Sequence, residues 1–319
     1  MRIATIDIGT NSVLLLVAEV EAQASGGALR PVVERATVTR LGEGVDRNRR
    51  LLPEAAERTL ACLADYAGTL RERGVTRLDA VGTSAMRDAA GGQEFVARAA
   101  QILGVAPRVI DGNEEARLTF AGALSGLPIA GKVMVFDIGG GSTEIVVGEI
   151  GPAGKRIAAA VSLDIGSVRL FERHVRSDPP SQSELIAVQQ DVALALKDAP
   201  ALTRGAALVG VAGTVTQLAA LELKLAHYDA ARVHGSELSR ASVDRLADKL
   251  AAATLAQRRV LPGMDPSRAD VLVVGSAIAR AVLHWSGATK LVVSDRGVRW
   301  GLCQELAAQG DASPENEAR

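Results

Sequence analysis

Aromatic side chains are scarce: Phe, Trp and Tyr together make up 3% of the chain. Proteins that grip single-stranded nucleic acid by base stacking need exposed aromatic rings, so the composition argues against that class. Neither sign of charge is in surplus, with 36 Lys and Arg against 37 Asp and Glu. A near-neutral chain has no long-range field to hold nucleic acid or an anionic membrane surface. Neither is expected as a partner, and an anionic ligand must be met by local geometry. Cysteine is limited to Cys62 and Cys303, with no CxxC. Two cysteines build no disulfide framework, so a reducing, cytoplasmic setting is expected. The four histidines are scattered, without HExxH or a Cys/His cluster, which excludes a recognisable zinc site. No uncharged apolar run approaches the ~18 residues of a membrane span. The first apolar run, from Ile3, carries Asp7 inside it, unlike the core of a signal peptide.

Aliphatic residues and glycine are plentiful. The 319 residues are 48% hydrophobic and include 32 glycines, a composition suited to aliphatic α/β layers; at ~150 residues per domain the length indicates two of them. The chain also repeats itself. Residues 3–20 read IATIDIGTNSVLLLVAEV and residues 133–150 read VMVFDIGGGSTEIVVGEI. A shift of 130 positions aligns Asp7 with Asp137, Gly9 with Gly139, Ser12 with Ser142 and Glu19 with Glu149. Each segment is an apolar strand ending near Asp, a polar glycine-bearing turn and a second apolar strand, which predicts two β-hairpins. Two domains of related topology follow, the first over 1–125, the second over 126–299. A C-terminal helix at 300–310 is a candidate to rejoin the first, and a polar tail at 311–319 is expected to fray.

Between the hairpins, strands and helices alternate. A β-rich stretch at 31–40 precedes a helix at 53–73 with Leu60, Leu63, Ala67 and Leu70 at helical spacing. Strands are predicted at 77–82 and 108–110, and helices at 92–103 and 114–124, the latter with Asn113 as its N-cap. The segment 125–131, with Gly126, Pro128 and Gly131, reads as the domain boundary. Further on, strands are predicted near 158, at 207–211 and at 291–294, and helices from about 166, 181, 213, 242 and 268.

One apparent phosphate motif is set aside. Residues 126–132 give GxxxxGK, but Val133 replaces the hydroxyl residue and a strand follows where a helix is required. The two hairpin turns are better candidates. Gly9, Thr10, Asn11 and Ser12, and Gly139, Gly140, Gly141 and Ser142, can present successive backbone N–H groups to phosphate oxygens. Asp7 and Asp137, each before its turn, would face one another across an interdomain cleft and hold Mg²⁺ beside bound phosphate. The plainer alternative is a pair of tight turns capped by their own aspartates. In 111–117, DGNEEAR, the acidic residues suit the start of a helix dipole, or one glutamate overhangs the cleft as a general base. Arg87, after a predicted strand, either reaches phosphate or pairs with Asp88. Gly213 and Thr214 can offer N–H groups at a helix N-terminus, or Gly213 serves close packing. Arg296 and Arg299 are expected in interdomain ion pairs, and Arg40, Arg47, Arg49 and Arg50 in a solvated loop.

The ordered blocks IDIGTNSVLLLVAEV, RLGEGV, GTSAMRDA, IDGNEEARLTFAGAL, VFDIGGGSTEIVVGE, SLDIGSVRLFER, VAGTVTQLAAL, PGMDPSRADVLVVG and VSDRGVRWGL resemble the exopolyphosphatase/guanosine-pentaphosphate phosphatase (Ppx/GppA) family over nearly the whole chain. The resemblance implies an α/β fold of two duplicated actin-like, ribonuclease H-like domains, as in sugar kinases and actin, closing on a phosphate cleft. It implies Glu115 as the base for the attacking water, with Glu114 beside it, Glu144 assisting water or metal, and Arg87 on phosphate. It also implies Mg²⁺ or Mn²⁺ and a homodimer acting on polyphosphate. Guanosine pentaphosphate, or alarmone sensing without catalysis, stands as the alternative. Long family members carry an additional helical C-terminal region, so the resemblance is to the short form, for which distributive action on the polymer is expected.

Overall fold

The computed structural model describes residues 1–21, 29–203 and 205–309; the tail expected to fray lies outside them. Strands β1 (Arg2–Ile8) and β2 (Ser12–Val20) form the first predicted hairpin, and β3 (Leu29–Val38) continues it antiparallel. On its other side β1 runs parallel to β4 (Arg77–Gly82), which pairs with the two-residue β5 (Arg108–Val109), giving the order β3-β2-β1-β4-β5. The second sheet repeats the scheme. Strand β6 (Gly131–Ile138) pairs antiparallel with β7 (Thr143–Gly151), then β8 (Gly154–Leu163), and parallel with β9 (Ala207–Val211). Strands β10 (Glu237–Ser239) and β11 (Lys290–Val293) complete the order β10-β11-β9-β6-β7-β8. In β1 and β6 every residue from Ile3 and Val133 onward is buried. Such strands read as continuous apolar runs because both faces of the sheet are covered.

The helices cover those faces. The short α1 (Val45–Asn48) is followed by α2 (Pro53–Glu72), which starts on Pro53, where a missing N–H costs nothing. Helix α2 buries Leu60, Leu63 and Leu70 in a core shared with Ile6, Ile8 and Leu15. Helices α3 (Ser84–Asp88) and α4 (Gly92–Leu103) complete this side. Helix α5 (Gly112–Ala123) starts two residues before the predicted position: its N-cap is Asp111, whose carboxylate accepts from the Glu114 N–H, and not Asn113. Although it precedes the boundary at 125–131, α5 packs Ala116, Phe120 and Ala123 on Val133, Val135 and Val146 of the second sheet.

The second domain continues with α6 (Ser167–His174), α7 (Gln182–Ala195), α8 (Ala212–Glu222) and α9 (Ala230–Val233). It closes with α10 (Arg240–Ala252), α11 (Leu255–Arg259) and α12 (Leu272–Trp285). Helix α12 begins four residues later than predicted, after a run of turns from Pro266. Finally α13 (Val298–Ala308) returns to the first sheet, packing Trp300, Cys303 and Leu306 on Ile3, Leu16 and Ala18. Helices α5 and α13 cross at glycines: a Cβ on Gly122 would lie 2.1 Å from the Gly297 carbonyl, and one on Gly301 2.1 Å from the Leu118 carbonyl. Among the described residues no helix is long and apolar enough to cross a membrane.

Candidate active site

Both hairpin turns open onto one cleft of about 670 Å³ between the domains. They are built alike: Gly9 N–H donates to the Ser12 carbonyl and Gly139 N–H to the Ser142 carbonyl, each at 3.0 Å. Their carbonyls are engaged from behind. Those of Thr10 and Asn11 accept from Gly42, Thr39 and Arg40 N–H groups, and those of Gly139 and Gly140 from the first-turn N–H groups of α6. A peptide with its carbonyl held on one side shows its N–H to the other. Among the described residues no protein group accepts from the N–H groups of Thr10, Asn11, Gly140, Gly141 or Ser142. Free N–H groups in two concave turns make a cradle for phosphate oxygens. The turns approach so closely that a Cβ on Gly140 would sit 3.1 Å from the Asn11 nitrogen, and one on Gly141 2.9 Å from Thr10 Oγ1.

Gly213 and Thr214, in the first turn of α8, also line the cleft. The preceding Ala212 holds φ +67°, unusual for a residue with a Cβ. Arg268 lies over Gly213, where a Cβ would meet its guanidinium at 2.2 Å, and reaches across the cleft to donate to Ser12 Oγ at 3.0 Å. Sequence reasoning missed Arg268: an arginine in a turn carries no local signal of what it faces.

Three of the carboxylates that line the cleft are buried. Asp7, Asp137 and Glu115 are 9%, 8% and 7% exposed and line its wall. Burial pushes Asp7 up to about 7, with Arg299 opposing and Glu144 adding to the rise. Asp137 and Glu115 are raised well above the usual carboxylate range, first by burial and then by the Glu144 charge. Arg87 opposes the rise at Glu115, its Nη1 lying 3.2 Å from Glu115 Oε2 while also donating to the Ile110 carbonyl. Arg87 is also 3.7 Å from Asp88, the partner that the ion-pair reading gave it. Neither Arg87 nor Glu144 is part of the cleft wall. Glu144 is wholly buried behind it and accepts from Ser162 Oγ at 2.7 Å. Its ionisation is also raised by burial, with hydrogen bonds from Ser162 and Ser142 opposing. The neighbouring glutamates part company: Glu114 turns to the surface and pairs with Arg108 at 2.7 Å.

The other arginines hold the domains together. Arg299 pairs with Glu34 at 2.9 Å, while Arg296 stacks over Trp300 and donates to Ser125. Arg40 is not in a solvated loop: it pairs with Asp270 of the other domain at 2.7 Å and donates to the Ser267 carbonyl. Arg47, Arg49 and Arg50 are exposed, as expected.

The donors suit a hard divalent cation. Asp7 Oδ1 is buried with no hydrogen-bond partner, and the clustered carboxylates destabilise one another's charges, a combination that Mg²⁺ or Mn²⁺ would relieve. Among the described residues no three His, Cys, Asp or Glu side chains form a metal-binding group. The remaining ligands would therefore come from water and substrate oxygens.

Comparison with known proteins agrees with this geometry. The model described as the Ppx/GppA phosphatase family matches residues 16–309. Exopolyphosphatase 2 of Mycobacterium tuberculosis is 40% identical over 320 residues, covering 96% of this chain and 98% of the relative. The guanosine-5'-triphosphate,3'-diphosphate pyrophosphatase of Vibrio cholerae is 29% identical over 95% of this chain and 59% of its own length. The crystal structure of the Aquifex aeolicus member of the Ppx/GppA protein family superposes with a TM-score of 0.80 at 32% identity, over 98% of this chain and 99% of that one.

Proposed function

This chain belongs to the Ppx/GppA phosphatase family, and on that footing we propose that it releases terminal phosphate from inorganic polyphosphate by direct attack of water. The observation that carries the proposal is Glu115, a buried carboxylate of raised basicity opening onto the same cleft as two turns with free N–H groups. The terminal phosphoryl group would lie on the free N–H groups of Thr10, Asn11, Gly140, Gly141 and Ser142, with Gly213 and Thr214 on the adjoining phosphate. Glu115 takes the proton of the attacking water; a carboxylate of raised basicity accepts it more readily than an ordinary one. Arg87 keeps Glu115 oriented and opposes the rise in its basicity. Glu144, held by Ser162, adds negative charge behind Glu115. A divalent cation such as Mg²⁺ or Mn²⁺, held by Asp7 and Asp137, would neutralise charge on the phosphoryl oxygens and the leaving phosphate. Catalysis then rests on positioning and charge stabilisation, as is usual for phosphoryl transfer.

A second substrate, guanosine pentaphosphate, is favoured by the size of the cleft, which continues past the turns to Tyr228 and Met264. A role in alarmone sensing alone gives no reason for a buried base beside the phosphate turns. The expected setting is a cytoplasmic homodimer; the buried free thiols of Cys62 and Cys303 support the compartment, and light scattering tests the assembly. The deciding experiment compares phosphate release from short polyphosphate, long polyphosphate and guanosine pentaphosphate under one condition, with Glu115→Gln beside the wild type. Release from polyphosphate that the variant loses supports the proposal. Release from guanosine pentaphosphate alone moves it to the second substrate, and release from none of them refutes both.

A further inference from the structure

Arg169, on α6, is 6% exposed and bonded on both sides of the cleft. Its Nε donates to the Gly141 carbonyl at 2.5 Å, within the glycine turn of the second domain. Its Nη2 donates to Asp88 at 2.5 Å and Ser84 Oγ at 3.3 Å, and its Nη1 to Asp46 at 3.2 Å, all three in the first domain. Ser84 and Asp88 are the ends of α3, the helix that carries Arg87. The Gly141 carbonyl and the Ser142 N–H are opposite sides of one planar peptide, so a group that fixes the carbonyl also aims the N–H. That N–H is one of the free donors facing the cleft. The rest of α6 reinforces the arrangement: Glu172 accepts from the Gly44 N–H at 3.0 Å and Arg173 pairs with Asp46 at 2.7 Å.

We propose that Arg169 is a positioning residue, which sets the glycine turn of the second domain in register with α3, so that bound phosphate meets Glu115, held by Arg87 of that helix, at a fixed separation. The inference rests on the proposed phosphohydrolase reading. The planar fork of arginine is needed, because one ammonium cannot reach the Gly141 carbonyl and both Ser84 and Asp88 at once. Removing it leaves the phosphate donors and the base intact but out of register, and misplacement of about 1 Å costs about 10²-fold in rate.

The test measures kcat and KM for phosphate release from polyphosphate with Arg169→Gln, Arg169→Lys, Arg87→Ala and the double variant Arg169→Gln/Arg87→Ala. Arg176→Ala, two residues past the C-terminal end of α6, serves as a control. Both Arg169 variants should lose about 10–10²-fold in kcat with a smaller change in KM, and lysine should not rescue. In the double variant the two losses should be far from multiplicative, because Arg169 acts through the helix that carries Arg87. Lysine at wild-type rate, or multiplicative losses, overturns the proposal. If Arg169→Gln does not fold, Asp88→Asn, which removes the partner on α3 and leaves the arginine, takes its place in the cycle. A wild type silent toward polyphosphate and guanosine pentaphosphate sinks the functional reading instead. The Arg169 inference is then decided by calorimetric binding of inorganic phosphate: weakening of about fivefold or more in Arg169→Lys upholds it, and unchanged affinity overturns it.

Discussion

Asp7→Asn should make the metal-free protein more stable at pH 8 while abolishing its activity. Asp7 sits at the end of β1, buried, with Oδ1 unpartnered and other carboxylates nearby. Its ionisation is pushed from 3.8 to about 7. A folded state that holds this proton more tightly than the unfolded chain binds more protons between pH 4 and 7. Stability therefore falls as pH rises through that window, and the penalty is complete above it. A shift of about 3 units corresponds to on the order of 4 kcal/mol at 1.36 kcal/mol per unit. Water entering the cleft relaxes part of this, so a gain of about 2–4 kcal/mol is expected, or about 4–8 °C in Tm at about 2 °C per kcal/mol. The neutral amide should confer that gain at pH 8 and almost none at pH 4, where the wild-type carboxyl is itself protonated. Thermal and urea unfolding in EDTA at the two pH values measure it. Equal stability of variant and wild type at pH 8, or an equal gain at both pH values, would refute the argument. Added Mg²⁺ should raise the Tm of the wild type more than that of the variant, since a ligand of the folded state stabilises in proportion to its affinity.

Glu115→Gln should keep phosphate binding and lose about 10²–10⁴-fold in kcat, whereas Glu114→Gln, which disturbs only a surface pair with Arg108, should stay near wild type; steady-state phosphate release separates them. Gly122→Ala places a methyl group 2.1 Å from the Gly297 carbonyl; forcing α5 and α13 apart should cost about 1–3 kcal/mol in urea unfolding and lower kcat by shifting Glu115. Ala212→Gly relieves a left-handed backbone beside the phosphate site and should raise stability by about 1 kcal/mol, with phosphate binding read in parallel to show that the turn survives.

The hairpins were legible because two signals coincide there: an unbroken aliphatic run, which marks a strand buried on both faces, and a glycine-bearing polar turn. The same turns drew attention to Asp7 and Asp137. Local rules failed where two candidates compete within a few residues, as when Asp111 caps α5 ahead of Asn113. They also failed wherever a partner is remote in sequence. Arg40 reads as a loop cation until Asp270 is seen beside it, and Arg169 and Arg268 give no hint that they span the cleft. Glu114 and Glu115 are one step apart in sequence but about 100° apart around a helix. Only packing shows which of them faces water and which the cleft. That α5 covers the second sheet is likewise a tertiary choice, made by Ala116, Phe120 and Ala123.

The exchange of helices between the two sheets has a consequence for synthesis. The seam of Ile3, Leu16 and Ala18 leaves the ribosome long before its cover, Trp300, Cys303 and Leu306, is made. At typical translation rates the interval is on the order of tens of seconds, far longer than a hairpin needs to form. During that time the nascent first domain carries an uncovered aliphatic face, and the second domain folds around α5 while its crossing partner is still missing. Ribosome-stalled chains ending before Val298 should therefore bind holdase chaperones through this face, and chains extended through Ala308 should release them.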